Sequence, residues 1–181
     1  MSPPRILVTG PPGSGKTTLA LRVIELLPGW RFTGFYTEEI RGRAGRTGFR
    51  IATLDGREAR LATVGGEGGE GGPRVGRYTV LLAALEAICE DALEPRAGVD
   101  AVVIDEIGKM ECLSPAFVRA ARGALSGMVP VLGTIAEAGG GFIAEAKRMP
   151  GAEVIALSRE NRDRLPAQIA ARFAAGRAPV Q

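Results

Sequence analysis

Two kinds of hydrophobic pattern alternate along the chain. Arg5–Thr9 is a short apolar run ending in a Gly/Pro-rich turn, and Gly15–Leu27 then places Leu19, Val23, Ile24 and Leu27 at helical spacing. The first predicts a strand and the second a helix, which Pro28-Gly29 stops. Trp30–Thr37 resumes with aromatic and β-branched residues that suit a second strand. Glu38–Val64 reads as charged turns around two further short strands, Gly48–Leu54 and Ala59–Val64, with Asp55-Gly56 as the hairpin signal between them. Beyond a glycine-rich tract, Tyr78–Leu93 predicts a helix and Asp100–Ile104 a buried strand, and Ser114-Pro115 gives the cap and first residue of another helix. Val129–Ile135 and Glu153–Leu157 predict strands, and Phe142–Met149 and Asn161–Ala174 predict helices. Repeated βα units of this kind imply an α/β three-layer sandwich: a mainly parallel sheet with helices on both faces, and an antiparallel strand insertion around residues 31–64. The tract Gly65–Gly72 cannot bury apolar surface and predicts a mobile surface loop.

Composition narrows the possibilities. A chain of 181 residues, 45% hydrophobic and 24% charged, suits a single globular domain over residues 1–181. It has no apolar run of the ~18 residues a membrane span needs, and Met1–Thr9 lacks the segments of a signal peptide, so a cytoplasmic location without a membrane partner is expected. Histidine is absent, which removes imidazole bases, His-based triads and His-Cys zinc sites from the possible mechanisms. Cys89 and Cys112 read as packing thiols. Basic residues exceed acidic ones by only 23 to 20 and aromatics make up 5%, so a nucleic-acid partner is disfavoured; a monomer is expected. Of the basic residues only Lys16, Lys109 and Lys147 are lysines. The first two fall within motifs where an ammonium and a guanidinium are not interchangeable.

The first motif is Gly10-Pro11-Pro12-Gly13-Ser14-Gly15-Lys16-Thr17, which matches G-x-x-x-x-G-K-[ST] between a predicted strand and a predicted helix. Its glycines let backbone N–H groups turn inward around phosphates, and the helix adds its positive end. Lys16 is the candidate for the β- and γ-phosphates, Thr17 for Mg²⁺, and Thr18 completes the nucleotide-binding run. The second motif is Ala101-Val102-Val103-Ile104-Asp105-Glu106, an apolar strand ending in two carboxylates at the expected ligand crevice. Asp105 is the second candidate metal ligand, and Glu106 the candidate to orient or deprotonate an attacking water. Lys109 either stabilises charge developing on the phosphates or neutralises neighbouring carboxylates. Arg77, between the glycine tract and a predicted helix, is either an arginine finger supplied from within the chain or a structural arginine. Together these residues predict a fold of the P-loop NTPase type and hydrolysis of nucleoside triphosphates.

The chain also resembles a known family, the small P-loop nucleoside-triphosphatases of thermophilic prokaryotes, related to a vertebrate protein, the cancer-related nucleoside-triphosphatase. The resemblance rests on the phosphate loop, Gly34–Arg41, Thr53-Leu54-Asp55-Gly56, Val75-Gly76-Arg77-Tyr78, Ile104–Glu111, Gly133-Thr134-Ile135 and Asn161-Arg162-Asp163. It implies slow Mg²⁺-dependent hydrolysis of ATP, GTP and other nucleoside triphosphates to diphosphate and phosphate. It also implies that Asn161 and Arg162 contact a nucleobase, with a plain helix cap as the alternative for Asn161. The sequence departs from the family pattern at Arg77, where a lysine is usual, in Ala136–Gly141, and in the length of the glycine tract. Two other classes stay open: a small nucleoside or nucleotide kinase, with Arg41, Arg43 and Arg46 as lid arginines, and a nucleotide-gated module that binds RNA or protein. Glu39 and Arg41, which follow the second predicted strand, either reach the same crevice or form a surface pair.

Overall fold

The computed structural model describes residues 2–43, 45–65, 71–94 and 96–176. Among these, the strands β1 (Arg5–Thr9), β2 (Phe32–Gly42), β3 (Gly45–Thr53), β4 (Glu58–Val64), β5 (Arg74–Val75), β6 (Tyr78–Val80), β7 (Ala101–Ile107), β8 (Val131–Ile135) and β9 (Ala152–Ala156) form one sheet. Their spatial order is β5-β6-β4-β3-β2-β7-β8-β1-β9. The run β2-β7-β8-β1-β9 is parallel, and β3 to β6 extend it as antiparallel hairpins beyond β2.

The helices are α1 (Lys16–Glu25), α2 (Leu82–Leu93), α3 (Pro115–Ser126), α4 (Gly141–Ala146) and α5 (Leu165–Gly176). Side-chain alternation along each strand decides which helices it meets. In β1, Leu7 enters a core with Leu85 of α2, Phe117 of α3 and Phe142 of α4. Ile6 and Val8 enter a second core with Leu19 and Val23 of α1 and Phe173 of α5. The sandwich is therefore three-layered, as the βα alternation predicts. Both cysteines are free and pack against the first core, and burial pushes each thiol up to about 12. No helix of the described residues is long and apolar enough to cross a membrane.

Gly34 shows how tightly β2 lies on β7. Its φ is +116°, and a Cβ added there would stand 1.9 Å from the Val103 carbonyl oxygen, so no other residue fits without moving the strand.

Several boundaries differ from the sequence reading. The charged stretch after Glu38 forms no isolated turns, because β2 and β3 run on to Gly42 and Gly45 and its charges pair across the strands. Glu38 stands opposite Arg50 and accepts from its Nε at 2.7 Å. Tyr78–Val80 is not the first turn of a helix but a strand paired with Ala62–Val64; α2 begins at Leu82. Aromatic and β-branched residues there answer to an available sheet edge rather than to helical period. The last helix starts at Leu165 instead of Asn161, whose side chain accepts from the Ser158 N–H and donates to the Ala156 carbonyl, both at 2.8 Å. An Asx-type turn thus replaces the expected cap. The Asp55-Gly56 hairpin and the Ser114 cap stand as predicted: Gly56 has φ +94°, and Ser114 Oγ accepts from the Phe117 N–H at 3.0 Å. Residues 66–70 of the glycine tract lie outside the described residues.

Candidate active site

The parallel strands all end at one edge of the sheet, and β1 and β7 deliver the two motifs there. After β1 the chain turns through Gly10–Gly15, and Gly15 takes φ +97° as the residue before α1. A left-handed glycine at this point aims the first N–H groups of α1 outward, and no side-chain cap takes them. Within the loop the Ser14 hydroxyl is buried without a hydrogen-bond partner among the described residues. Lys16 is only 8% exposed; its Nζ donates to the Gly10 carbonyl at 2.8 Å and the Pro11 carbonyl at 3.4 Å, and lies 3.5 Å from a Glu106 carboxylate oxygen. One ammonium thus spans the loop and the end of β7.

Asp105 is buried and held from three elements. Thr17 of α1 donates its hydroxyl to one carboxylate oxygen at 2.7 Å, Thr134 of β8 donates to the other, and the Thr37 N–H of β2 approaches at 3.4 Å. Burial pushes the Asp105 carboxyl above its ordinary range, the three donors pull it back, and the neighbouring Glu106 pushes it up again. No local motif singles out Thr134, although a hydroxyl within the apolar run Val131-Leu132-Gly133-Thr134-Ile135 is a readable signal.

The β7–β8 ladder breaks between Ile104 and Ile107, and the Asp105–Glu106 peptide is cis. The irregularity changes side-chain parity, so Ile107 packs in the same core as Val102 and Ile104. Glu106 faces a cavity of about 830 Å³ together with Lys16, Thr17, Thr18 and Lys109. Gly10, Pro12, Gly13 and Gly15 border it; Pro11 and Ser14 complete the loop without lining it. Arg77, Asn161 and Arg162 do not line it. The Arg77 guanidinium donates to the Arg46 carbonyl at 2.7 Å and stands over the Tyr78 ring, while Arg162 is exposed beside Asp163. Arg41 and Arg46 reach the cavity, both paired to Glu39; Arg43 does not line it.

A family model described as NTPase matches residues 5–170. This chain belongs to the NTPase family. Among similar proteins, nucleoside-triphosphatase THEP1 of Methanosarcina acetivorans is 40% identical over 173 residues, covering 93% of this chain and 96% of that one. The cancer-related nucleoside-triphosphatase homolog of Bos taurus is 38% identical over 178 residues, covering 91% and 93%. The crystal structure of THEP1 from Aquifex aeolicus superposes with a TM-score of 0.80 at 35% identity, covering 91% of this chain and 96% of that one. The solution structure of a human cancer-related nucleoside triphosphatase gives 0.80 at 36% identity, covering 97% and 100%. The sandwich is thus the fold of this NTPase family, as the sequence motifs predict.

In this NTPase-family chain the described residues hold no group of three or more His, Cys, Asp or Glu able to cage a metal by themselves. The hydroxyl of Thr17 against the carboxylate of Asp105 is instead a hard-oxygen pair of the kind a small cation uses when phosphates and water complete its shell. These residues fit Mg²⁺.

A third carboxylate, Glu111, is buried in a single 3-10 turn (Glu111–Leu113) and borders the same cavity. A Cβ added at Gly108 would stand 2.7 Å from a Glu111 carboxylate oxygen and 2.9 Å from one of Glu106, so the two acids flank one glycine. Burial pushes the Glu111 carboxyl up to about 8, helped by Glu106 and Asp105 and opposed by its own N–H and that of Gly108. Below pH 4.5 both folded and unfolded chains carry this proton, and it contributes nothing to pH dependence. Between 4.5 and about 8 the unfolded chain releases it and the folded chain retains it, so stability falls by ~1.4 kcal/mol per pH unit. In metal-free denaturant titrations, Glu111→Gln is therefore expected to exceed the parent by roughly 3 kcal/mol at pH 7, with the gap closing toward pH 4.5. A gap independent of pH would show that Glu111 is ionised in the folded chain.

Proposed function

We propose that the protein is a Mg²⁺-dependent nucleoside-triphosphatase that hydrolyses ATP, GTP and other nucleoside triphosphates to the diphosphate and phosphate. The observation that carries this reading is the convergence of two motifs 88 residues apart: the Thr17 hydroxyl lies 2.7 Å from the Asp105 carboxylate, and Lys16 lies 3.5 Å from Glu106. Thr17 and Asp105 would hold Mg²⁺, which supplies charge neutralisation at the β- and γ-phosphate oxygens.

Lys16 exchanges the Gly10 and Pro11 carbonyls for phosphate oxygens, and the N–H groups of the loop and α1 take the remaining charge. Water beside Glu106 attacks the γ-phosphorus, its proton passes to the Glu106 carboxylate, and the bond to the β–γ bridging oxygen breaks. Lys109 borders the cavity and adds positive charge as the phosphates separate. Arg77 joins them only by leaving the Arg46 carbonyl. Two contacts support broad base tolerance: Asn161 engages its amide within its own turn, and the exposed Arg162 pairs with Asp163.

Phosphate release from ATP, GTP, CTP and UTP should proceed at comparable rates with Mg²⁺ and stop in excess EDTA. Release that persists in EDTA would refute the metal dependence, and a strong preference for one base would refute the breadth.

A further inference from the structure

The cavity has two unlike ends. Toward β1 it is walled by the phosphate loop and Lys16; toward the hairpins it is walled by Phe49, Leu61, Val75, Tyr78 and Met110. We infer that the apolar end is a second small-molecule subsite, for an alcohol carrying a planar ring, placed so that its hydroxyl replaces water as acceptor of the γ-phosphoryl group. The inference rests on the reading of the phosphate loop given above.

Strand order fixes which end is which. Going from β1 toward the hairpins, the sheet passes β8, then β7 with Asp105 and Glu106, then β2 and the antiparallel strands. Lys16 points from the loop toward Glu106, so the γ-phosphate lies toward β7. The apolar end therefore lies beyond the reacting phosphate. The other side of β1, where β9 lies, is left for the base of the bound triphosphate. Hydrolysis requires only room for water beside Glu106, and nothing in that step uses an apolar compartment.

The compartment is built rather than merely left open. Phe49 and Tyr78 meet edge to face with ring centroids 5.1 Å apart. Arg46, fixed by Glu39, covers the Phe49 ring, and Arg77, fixed by the Arg46 carbonyl, covers that of Tyr78. Apolar walls with a few fixed polar groups at one side are what a small organic ligand requires. The charged groups at this end are Arg41 and Arg46, both paired to Glu39, and the Arg46 Nε is buried without a hydrogen-bond partner among the described residues, a donor that an oxygen of the acceptor can take.

In the transfer step the acceptor hydroxyl oxygen bonds to the γ-phosphorus, the bond to the β–γ bridging oxygen breaks, and the hydroxyl proton passes to Glu106. The products are a nucleoside diphosphate and a phosphate monoester.

Nucleosides combine a planar ring with hydroxyls and serve as probes. Protein saturated with Mg²⁺ and a non-hydrolysable ATP analogue is titrated calorimetrically with adenosine, guanosine, cytidine and uridine; separately, each is incubated with γ-labelled ATP. At least one nucleoside is expected to bind as a further equivalent and to yield labelled nucleoside monophosphate. Val75→Trp, which fills the apolar end, should weaken that second equivalent by roughly tenfold or more, whereas Arg119→Ala, exposed on α3, keeps it. The inference is overturned if no nucleoside binds beside the analogue, if one binds only by displacing it, if Val75→Trp leaves binding intact, or if binding yields no labelled ester. Failure of the analogue itself to bind is a different pattern, and would sink the triphosphatase reading along with this one.

Discussion

Lys16→Ala is expected to remove most triphosphate binding and to lower hydrolysis by roughly 10²–10³, the loss seen when a preorganised transition-state donor is deleted. The geometry explains why no neighbour substitutes. Arg41 and Arg46 reach the cavity but are engaged by Glu39, and Lys109 borders it from beyond β7 as an exposed side chain. Lys16 also separates the phosphates from Glu106. Without its ammonium 3.5 Å away, the Glu106 carboxylate loses its ion-pair partner beside the phosphates. Lys16→Arg should not rescue the activity, because a planar guanidinium does not fit an 8% exposed position whose partners are the Gly10 and Pro11 carbonyls of a tight loop. Calorimetry with a non-hydrolysable analogue and Mg²⁺ is the measurement, and unchanged affinity in Lys16→Ala would refute the assignment of the loop.

Glu106→Gln separates binding from chemistry. The amide keeps the shape of the carboxylate but cannot take a proton, so phosphate release should fall by about 10²–10⁴. Analogue binding should hold or tighten, since a negative charge beside the γ-phosphate is lost. No neighbouring acid can replace it as base. Asp105 is committed to Thr17 and Thr134, and Glu111 is buried in its own turn, which pushes its carboxyl up to about 8. Single-turnover hydrolysis is the appropriate measurement, and a rate equal to that of the parent would remove Glu106 from the mechanism.

The two motifs were legible because each is local. Two glycines, a lysine and a threonine at fixed spacing and an apolar strand ending in Asp-Glu need no tertiary information to be recognised. The βα alternation was equally legible, since hydrophobic period reports which faces must be covered. Less legible were segments whose state depends on a distant partner. Tyr78–Val80 became a strand because the edge of β4 was available, and the charges after Glu38 became cross-strand pairs because β3 returned alongside β2. The Asn161 side chain closes a turn on Ala156 and Ser158 rather than capping the last helix, because that helix begins only at Leu165.

By itself, then, the sequence determined the layered fold, the glycine-rich loop and the pairing of Lys16 and Thr17 with a strand ending in Asp105 and Glu106, because glycine content, charge and period are properties of short stretches. Only the tertiary structure decided that Thr134 and Thr37 brace Asp105 from the two strands flanking β7 and that Glu111 is buried beside Glu106. It alone gave the cavity an apolar end, walled by Phe49, Leu61 and Tyr78. Those features arise where strands far apart in sequence become neighbours, and the burial, shape and charge they create belong to no single segment.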